Sequence, residues 1–400
     1  MLVHEPEVTT ADGRVRVSAF VEGEDPHIPS GRKLWYEFDE EFAEGVTTRS
    51  DAFAIALCPL GMRLSEDIEL RGSVSPLLLS NLRDYQQICK AWWGERANVI
   101  EIRADSAKPA PFRESQDSVG TCFSGGVDSF HTLFRRLEPE EPLVAQRVTH
   151  AFMVNGFDLD VDLEERGHFR TLRRIYSPIL EELNVKRVEV RTNLNAFHRG
   201  IPYHTFALNL VPPALVLGRM FRLFYTPSSW AYGYLAPDGS HPMVDHLLGT
   251  ESLRVVHDGA ASSRVAKTAS LIDRPETYST LRVCWTRDWT NVDAVGQTIA
   301  NCGRCDKCVR TMTSLKLLGA LDRYHTFVNP LNRRAIRNAR SVGYARWFAE
   351  DNLRTAVEVG DRATAFDLRW QMARGRVVGW LEKSEVRLRG LARRVLRRHR

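Results

Sequence analysis

The run Thr121-Cys122-Phe123-Ser124-Gly125-Gly126-Val127-Asp128-Ser129 decides the reading of this 400-residue chain. An apolar strand from Val119 to Phe123 enters a Ser-Gly-Gly-x-Asp-Ser turn, and a helix from Ser129 to Leu137 follows it. Two adjacent glycines let the backbone approach an anion and turn successive N–H groups toward it, while the helix adds its positive N-terminal end. Ser124 and Ser129 offer hydroxyl donors. Asp128 fits beside phosphates only with a cation between them, so we expect a Mg²⁺-bound nucleotide held by Ser124, Gly125, Gly126, Val127, Asp128 and Ser129. The plainer alternative is a glycine turn with Asp128 as a helix cap. No Gly-x-x-x-x-Gly-Lys-Ser/Thr occurs, which removes the common phosphoryl-transfer loop.

Working outward from the turn, apolar runs at 148–154, 185–191, 222–226, 254–257 and 281–285 read as strands. They alternate with helical patterns at 163–183, 204–220 (broken at Pro212-Pro213) and 262–272. That alternation predicts an α/β fold, a parallel doubly wound sheet over 117–320. Residues 321–400 read as a helical C-terminal extension. Residues 1–105 read as a separate α+β, strand-rich domain, with strands at Val15–Val21, Leu34–Phe38, Ala52–Leu57 and Ile68–Leu70. Its one helix starts at the Ser75-Pro76 cap and runs to Gly94. The segment Ala107-Lys108-Pro109-Ala110-Pro111 reads as the boundary.

The formal charge is +5, but residues 383–400 carry eight Lys and Arg against Glu385, net +7, leaving −2 elsewhere. A basic terminal helix suits RNA, DNA or an anionic membrane surface, and a solvated terminal helix is the plain reading. The longest apolar stretch, Phe206–Gly218, contains Asn209 and two prolines, so no transmembrane segment is expected. The Met1-Leu2-Val3-His4-Glu5 start lacks the pattern of a secretion signal, and we expect a cytoplasmic protein with reduced cysteines.

Four of the seven cysteines are Cys284, Cys302, Cys305 and Cys308. In a reducing compartment this spacing is a metal site before it is a disulfide framework, and four thiolates suit a closed, structural Zn²⁺ site. An iron–sulfur cluster is the other thiolate reading. Arg304, Lys307 and Arg310 are placed to screen its negative charge. Cys122 reads as a buried small hydrophobe; Cys58 and Cys89 show no ligand spacing.

Arg264 and Lys267, three apart on one helix face, are candidates to neutralise a departing pyrophosphate, against a solvated face. His241 and Asp245 stand in a polar loop with His246 and Glu251, and are candidates for substrate or Mg²⁺ contact, against ordinary capping. Asn155 and Asp158 are candidates for the nucleoside pocket. His131 stands two residues past the turn and reads equally as a phosphate contact or a packed histidine.

The Ser-Gly-Gly-x-Asp-Ser turn resembles the PP-loop of the ATP pyrophosphatases. With the late Cys and the Cys-Gly-x-Cys-x-x-Cys cluster followed by Arg, residues 117–320 resemble the 7-cyano-7-deazaguanine synthase family, whose four zinc-ligand positions match Cys284, Cys302, Cys305 and Cys308. The resemblance implies the nucleotide-hydrolase (HUP/PP-loop) type of sheet and ATP cleaved between the α and β phosphates. It implies AMP transfer to a carboxylate or carbonyl oxygen, with Asp128, Lys267 and Arg264 as catalytic candidates, followed by attack of ammonia or an amine. ATP, Mg²⁺ and Zn²⁺ are the implied cofactors. Two features depart from that family: the 17 residues between Cys284 and Cys302, and the N-terminal extension. They leave the acceptor open. An N-terminal cysteine nucleophile for glutamine is not expected with Met1-Leu2 at the start. Two further readings stand beside this ligase: an RNA-modifying or thiolating enzyme, and a non-catalytic nucleotide-binding component of a larger system. In the first, the tail grips RNA and the N-terminal domain recognises the substrate. For residues 1–105 a substrate cap, a protein dock or a homodimer surface are expectations, and a plain hydrophobic core explains their strand-rich pattern and the Trp92-Trp93 pair equally well.

Overall fold

The structure is a computed structural model. It describes the chain apart from residues 24–27, 29–31, 113–115, 139–145, 158–167, 202–204, 285–298 and 399–400, with side chains to 381. The chain forms two compact units. The first is Met1–Ser229 with Leu235–Ala260; the second is Trp230–Tyr234 with Ala261–Arg400.

The first unit is mixed α/β around one eleven-stranded, mostly parallel sheet. Its strands are β1 (Leu2–Val3), β2 (Glu7–Ala11), β3 (Arg14–Glu22), β4 (Arg32–Asp39), β5 (Ile68–Val74), β6 (Ile102–Ala107), β7 (Ser118–Cys122), β8 (His150–Asn155), β9 (Lys186–Thr192), β10 (Phe221–Pro227) and β11 (Arg254–Asp258). Its helices are α1 (Asp51–Leu64), α2 (Pro76–Trp93), α3 (Val127–Arg135), α4 (His168–Glu182), α5 (Leu194–His198), α6 (Phe206–Leu210) and α7 (Pro212–Val216). Strand order is β11-β10-β7-β8-β9-β4-β3-β1-β5-β6, with β2 on β3. From β11 to β9 every pairing is parallel. This arrangement is compatible with the doubly wound fold expected from the sequence. The five strands expected from Val119 to His257 all form. The 204–220 pattern becomes two short helices, because Pro212 and Pro213 cannot continue α6.

In this unit two expectations change. Residues 1–105 do not close on themselves: β4 pairs antiparallel with β9, Tyr36 opposite Thr192 and Glu37 opposite Arg191. One hydrophobic core takes in Phe38, Phe53 and Leu57 together with Phe152, Val188, Phe197 and Phe221. The edge of β9 would otherwise leave a row of unpaired backbone groups. Buried charges fix this joint: Glu37 accepts from Arg16 Nε (2.9 Å) and Arg191 Nη1 (3.1 Å), and Glu189 accepts from Arg14 Nη2 (2.8 Å). Such carboxylates are tolerated inside because each is paired and hydrogen-bonded. The division at 105–117 therefore does not coincide with the compact units. The second change is Ala52–Leu57, which lies in α1. Every residue from Asp51 to Met62 is buried, so the helix is apolar all round and its short run mimics a buried strand. The Ser75 cap is as expected, its hydroxyl accepting from Leu78 N at 3.0 Å.

The second unit is helical: α8 (Arg264–Ala269), α9 (Asp306–Leu317), α10 (Arg333–Asn338), α11 (Ala345–Glu358) and α12 (Arg362–Arg398). Val309, Leu317, Ile336, Ala356, Ala365 and Leu368 form a core within it. Trp230 belongs here because it stacks on Phe348, with ring centroids 5.0 Å apart. The strand expected at 281–285 is absent over Leu281–Cys284, and Trp285 lies outside the described residues. The Asn301 side chain takes the place of a neighbouring strand: its Oδ1 accepts from Val283 N (2.8 Å) and Cys284 N (3.0 Å), and its Nδ2 donates to Leu281 O (2.8 Å). No helix among the described residues is long and apolar enough to cross a membrane.

In the first unit the buried His150 and the part-buried His198 are both held in neutral form. Burial lowers His150 and His198 to about 4 each. His198 Nε2–H donates to Ala56 O at 2.6 Å, joining α5 to α1. The unfolded chain takes up these protons from about pH 6.5 downward, so stability falls between about pH 6.5 and 4. Each histidine contributes up to about 1.4 kcal/mol per pH unit to this loss. Denaturant unfolding of His198→Gln across that range should show a shallower slope than wild type; an unchanged slope would contradict this origin.

Candidate functional site

The turn after β7 lies where the strand order reverses. The chain passes from β7 to β8 on one side, and after β9 it crosses back to place β10 on the other. In open α/β sheets the crevice at the carboxyl ends of such strands receives the ligand. Phe123 N still bonds Phe152 O at 2.9 Å, and the chain then turns. Ser124 is exposed, Gly125 has φ +71°, and Gly126 is the extended residue before α3. A Cβ on Gly125 would lie 1.8 Å from the Tyr176 hydroxyl, so a side chain is excluded by space as well as by φ. Tyr176 is fully buried against Phe123, which itself packs edge-on against Phe130.

Ser129 has a different role from the one expected. Its Oγ accepts from Gly126 N (3.1 Å) and Ser124 N (3.3 Å) and donates to Gly126 O (3.0 Å). The hydroxyl is spent on holding the loop, and the exposed Ser124 has its Oγ 3.4 Å from Ser129 Oγ. Val127 and Asp128 open the first turn of α3, and Asp128 is half-buried. Asn155 ends β8, three residues past the Cys122–Phe152 pair, as Gly125 is on its own strand. Its side chain is 1% exposed, and Nδ2 has no hydrogen-bond partner among the described residues. A buried amide left this way is costly unless a ligand or water completes it. Asp158 lies outside the described residues. His131 is buried on α3, as a packed histidine would be.

His241 and Asp245 come together, but Asp245 is not placed to hold a metal. It is completely buried; Oδ1 accepts from His241 N (2.9 Å), and Oδ2 accepts from Thr226 Oγ1 (2.6 Å), Ser240 Oγ (2.8 Å) and His257 Nδ1 (2.7 Å). Four protein donors leave no room for Mg²⁺. His257, twelve residues from Asp245, carries no sequence signal for this pairing. It lines a cavity of about 400 Å³ together with Leu77, Asn81, His246, Thr250 and Arg254. His241 packs edge-on against Trp92, and burial, followed by the nearby His257, lowers its pKa. Glu251 is a tie within the unit, accepting from Leu77 N (3.1 Å) and Ala110 N (2.9 Å).

Arg264 and Lys267 lie on α8 of the second unit. Lys267 is 1% exposed, which removes the solvated-face reading for it. The same unit gathers Cys284, Cys302, Cys305 and Cys308, with all four sulfurs within 4.8 Å of one another. The sulfur–sulfur separations include 3.9 Å (Cys284–Cys305), 3.8 Å (Cys302–Cys308) and 3.4 Å (Cys305–Cys308). Sulfurs on a tetrahedral ion at 2.3 Å stand about 3.8 Å apart, so the donor set fits a metal of that size. The thiol of Cys308 is pushed far up, first by its hydrogen bond with Cys305, then by burial and the other cysteines. Four sulfurs this close hold either protons or a cation.

The backbone supports the cluster. Arg304 N and Cys305 N donate to Cys302 Sγ at 3.4 and 3.3 Å, a turn made possible by Gly303 at φ +69°. Asn329 Nδ2 donates to Cys302 O at 2.8 Å. Of the expected screening cations, Arg304 donates to Asn329 Oδ1 (2.8 Å), and the Arg310 guanidinium covers Phe348 at 3.8 Å. The polar supports Asn301 and Asn329 escaped the sequence reading, since single asparagines carry no pattern.

No protein-family model, curated protein or solved structure matches this chain. The site is therefore read from its own chemistry.

Two outcomes follow from this geometry. Elemental analysis should find about one metal ion per chain, lost in Cys308→Ser with a stability loss of at least about 3 kcal/mol. Metal-free wild type of equal stability would contradict a structural site. Gly125→Ala should displace Tyr176 and destabilise the fold by about 2 kcal/mol, read by thermal unfolding; a neutral substitution would refute the packing given for the loop.

Proposed function

We propose that this chain is an ATP-dependent ligase that forms AMP and pyrophosphate, using the Ser124–Ser129 turn as its phosphate cradle. The observation that carries this reading is the position of a turn whose Gly125 has no room for a side chain, at the reversal of strand order and in front of α3. The Asn155 Nδ2 on the neighbouring strand, which has no hydrogen-bond partner among the described residues, supports it as a group that a nucleoside would complete.

In this reading a carboxylate or carbonyl oxygen of a small molecule or modified base attacks the α-phosphorus. The bond to the β-phosphate oxygen breaks, and pyrophosphate leaves with both electrons. Ammonia or an amine then attacks the activated carbon and loses a proton, and AMP departs. A Mg²⁺ ion would neutralise phosphate charge. Asp128 is the residue to hold it, and the backbone N–H groups of the turn hold and orient the phosphates. Arg264 and Lys267 are the candidate cations for the departing pyrophosphate, on sequence grounds. Catalysis of this kind rests on alignment and charge stabilisation rather than on a covalent intermediate with the protein. The four cysteines hold a structural Zn²⁺ that organises the second unit, in line with their closed Cys₄ set.

Purified protein with MgATP, ammonia and a pool of carboxylic acids should form AMP, and Asp128→Ala should lower the rate at least about 100-fold. Product analysis by mass spectrometry checks both. ADP as the only nucleotide product, or an Asp128→Ala enzyme of full activity, would show the loop to be misread.

A further inference from the structure

Charge divides sharply between the two units. The second carries 28 Lys and Arg against 13 Asp and Glu, net +15, which leaves −10 on the first. Its longest element, α12, has two distinct faces. Ala365, Leu368 and Met372 are buried on one and anchor the helix to its own unit. On the other, Phe366, Trp370, Val377, Trp380 and Leu381 are each more than half exposed. At 100° per residue these five fall within an arc of about 100°, a continuous apolar stripe. Arg369, Arg374 and Arg376 are exposed along this stretch of the helix. The backbone stays helical to Arg398, and the sequence repeats the pattern with Leu388, Leu391 and Val395 among eight further Lys and Arg.

Three kinds of occupant are conceivable, and the composition of the helix chooses between them. A second copy laid on the stripe would bring two strongly basic helices side by side, and like charges oppose that. A nucleic acid would satisfy the arginines but leave Val377 and Leu381 in water, because phosphates and sugars cannot bury an aliphatic stripe. An anionic bilayer surface satisfies both features: acyl chains take the apolar stripe, headgroups take the flanking guanidinium groups, and tryptophan rings favour that boundary. We propose that α12 docks this protein on anionic lipid surfaces, lying in the headgroup plane. This inference is independent of the ATP chemistry.

The test is co-sedimentation of the full chain with vesicles of phosphatidylcholine alone and of equal parts phosphatidylcholine and phosphatidylglycerol, at low and high salt. Binding should be confined to the anionic vesicles, weaken at least tenfold in high salt, and shift tryptophan emission to the blue. Trp380→Glu and Val377→Glu lie on exposed positions; each should lower binding at least tenfold with unfolding temperature unchanged. The proposal is overturned if neutral vesicles bind equally, or if anionic vesicles do not bind at low salt. It is also overturned if the same substitutions abolish a concentration-dependent dimer or single-stranded RNA binding while leaving vesicle binding intact.

Discussion

β7 has a parallel partner on each side: β8, the next strand in the chain, and β10, which reaches it only because the chain crosses back over the sheet after β9. Hydrogen bonds to β8 and β10 satisfy both of its edges, so its carboxyl end is held rigidly while the connections on either side lead away from it. The turn placed there must descend beside Tyr176 and re-emerge as a helix, which leaves no space for a Cβ at Gly125. Ser129 closes this turn by bonding back to Ser124 and Gly126, so the shape of the turn is fixed by the chain itself. Such preorganisation is what an anion site needs if its N–H groups are to act without first being rearranged.

The same sheet shows why an N-terminal half of different texture is not an independent body. β9 would end the parallel layer with an open edge, and β4 covers it in the antiparallel sense, fixed by Glu37 between Arg16 and Arg191. α1 then packs into a core that draws on both halves. Cooperative unfolding of the first unit, Met1–Ser229 with Leu235–Ala260, is the thermodynamic consequence, since neither half retains a complete core without the other.

What could be read in the sequence was local. Alternation marked β3 and β4, a serine and proline marked the start of α2, and adjacent glycines marked the turn, because each signal is a preference of a few neighbouring residues. Ala52–Leu57 was misread because a helix buried on all sides has no polar face to reveal its period. The β4–β9 joint, the Asp245–His257 pair and the support of Cys284 by Asn301 join positions 12 to about 150 residues apart, and single side chains of common types announce none of them. The cysteine cluster was legible because three of its four members, Cys302, Cys305 and Cys308, sit three apart, at the spacing of a tight turn entering α9. The placement of that cluster with the helical unit, rather than with the sheet, was not.

The central claim is that an acceptor oxygen takes AMP from ATP held at this turn. Its most direct test is transfer of label from an ¹⁸O-carboxylate acceptor during turnover with MgATP and ammonia. The account predicts one ¹⁸O in the phosphate of the AMP released, and an amide product that has lost it. Label found in inorganic phosphate beside ADP would place bond breaking at the γ-phosphate and contradict the mechanism.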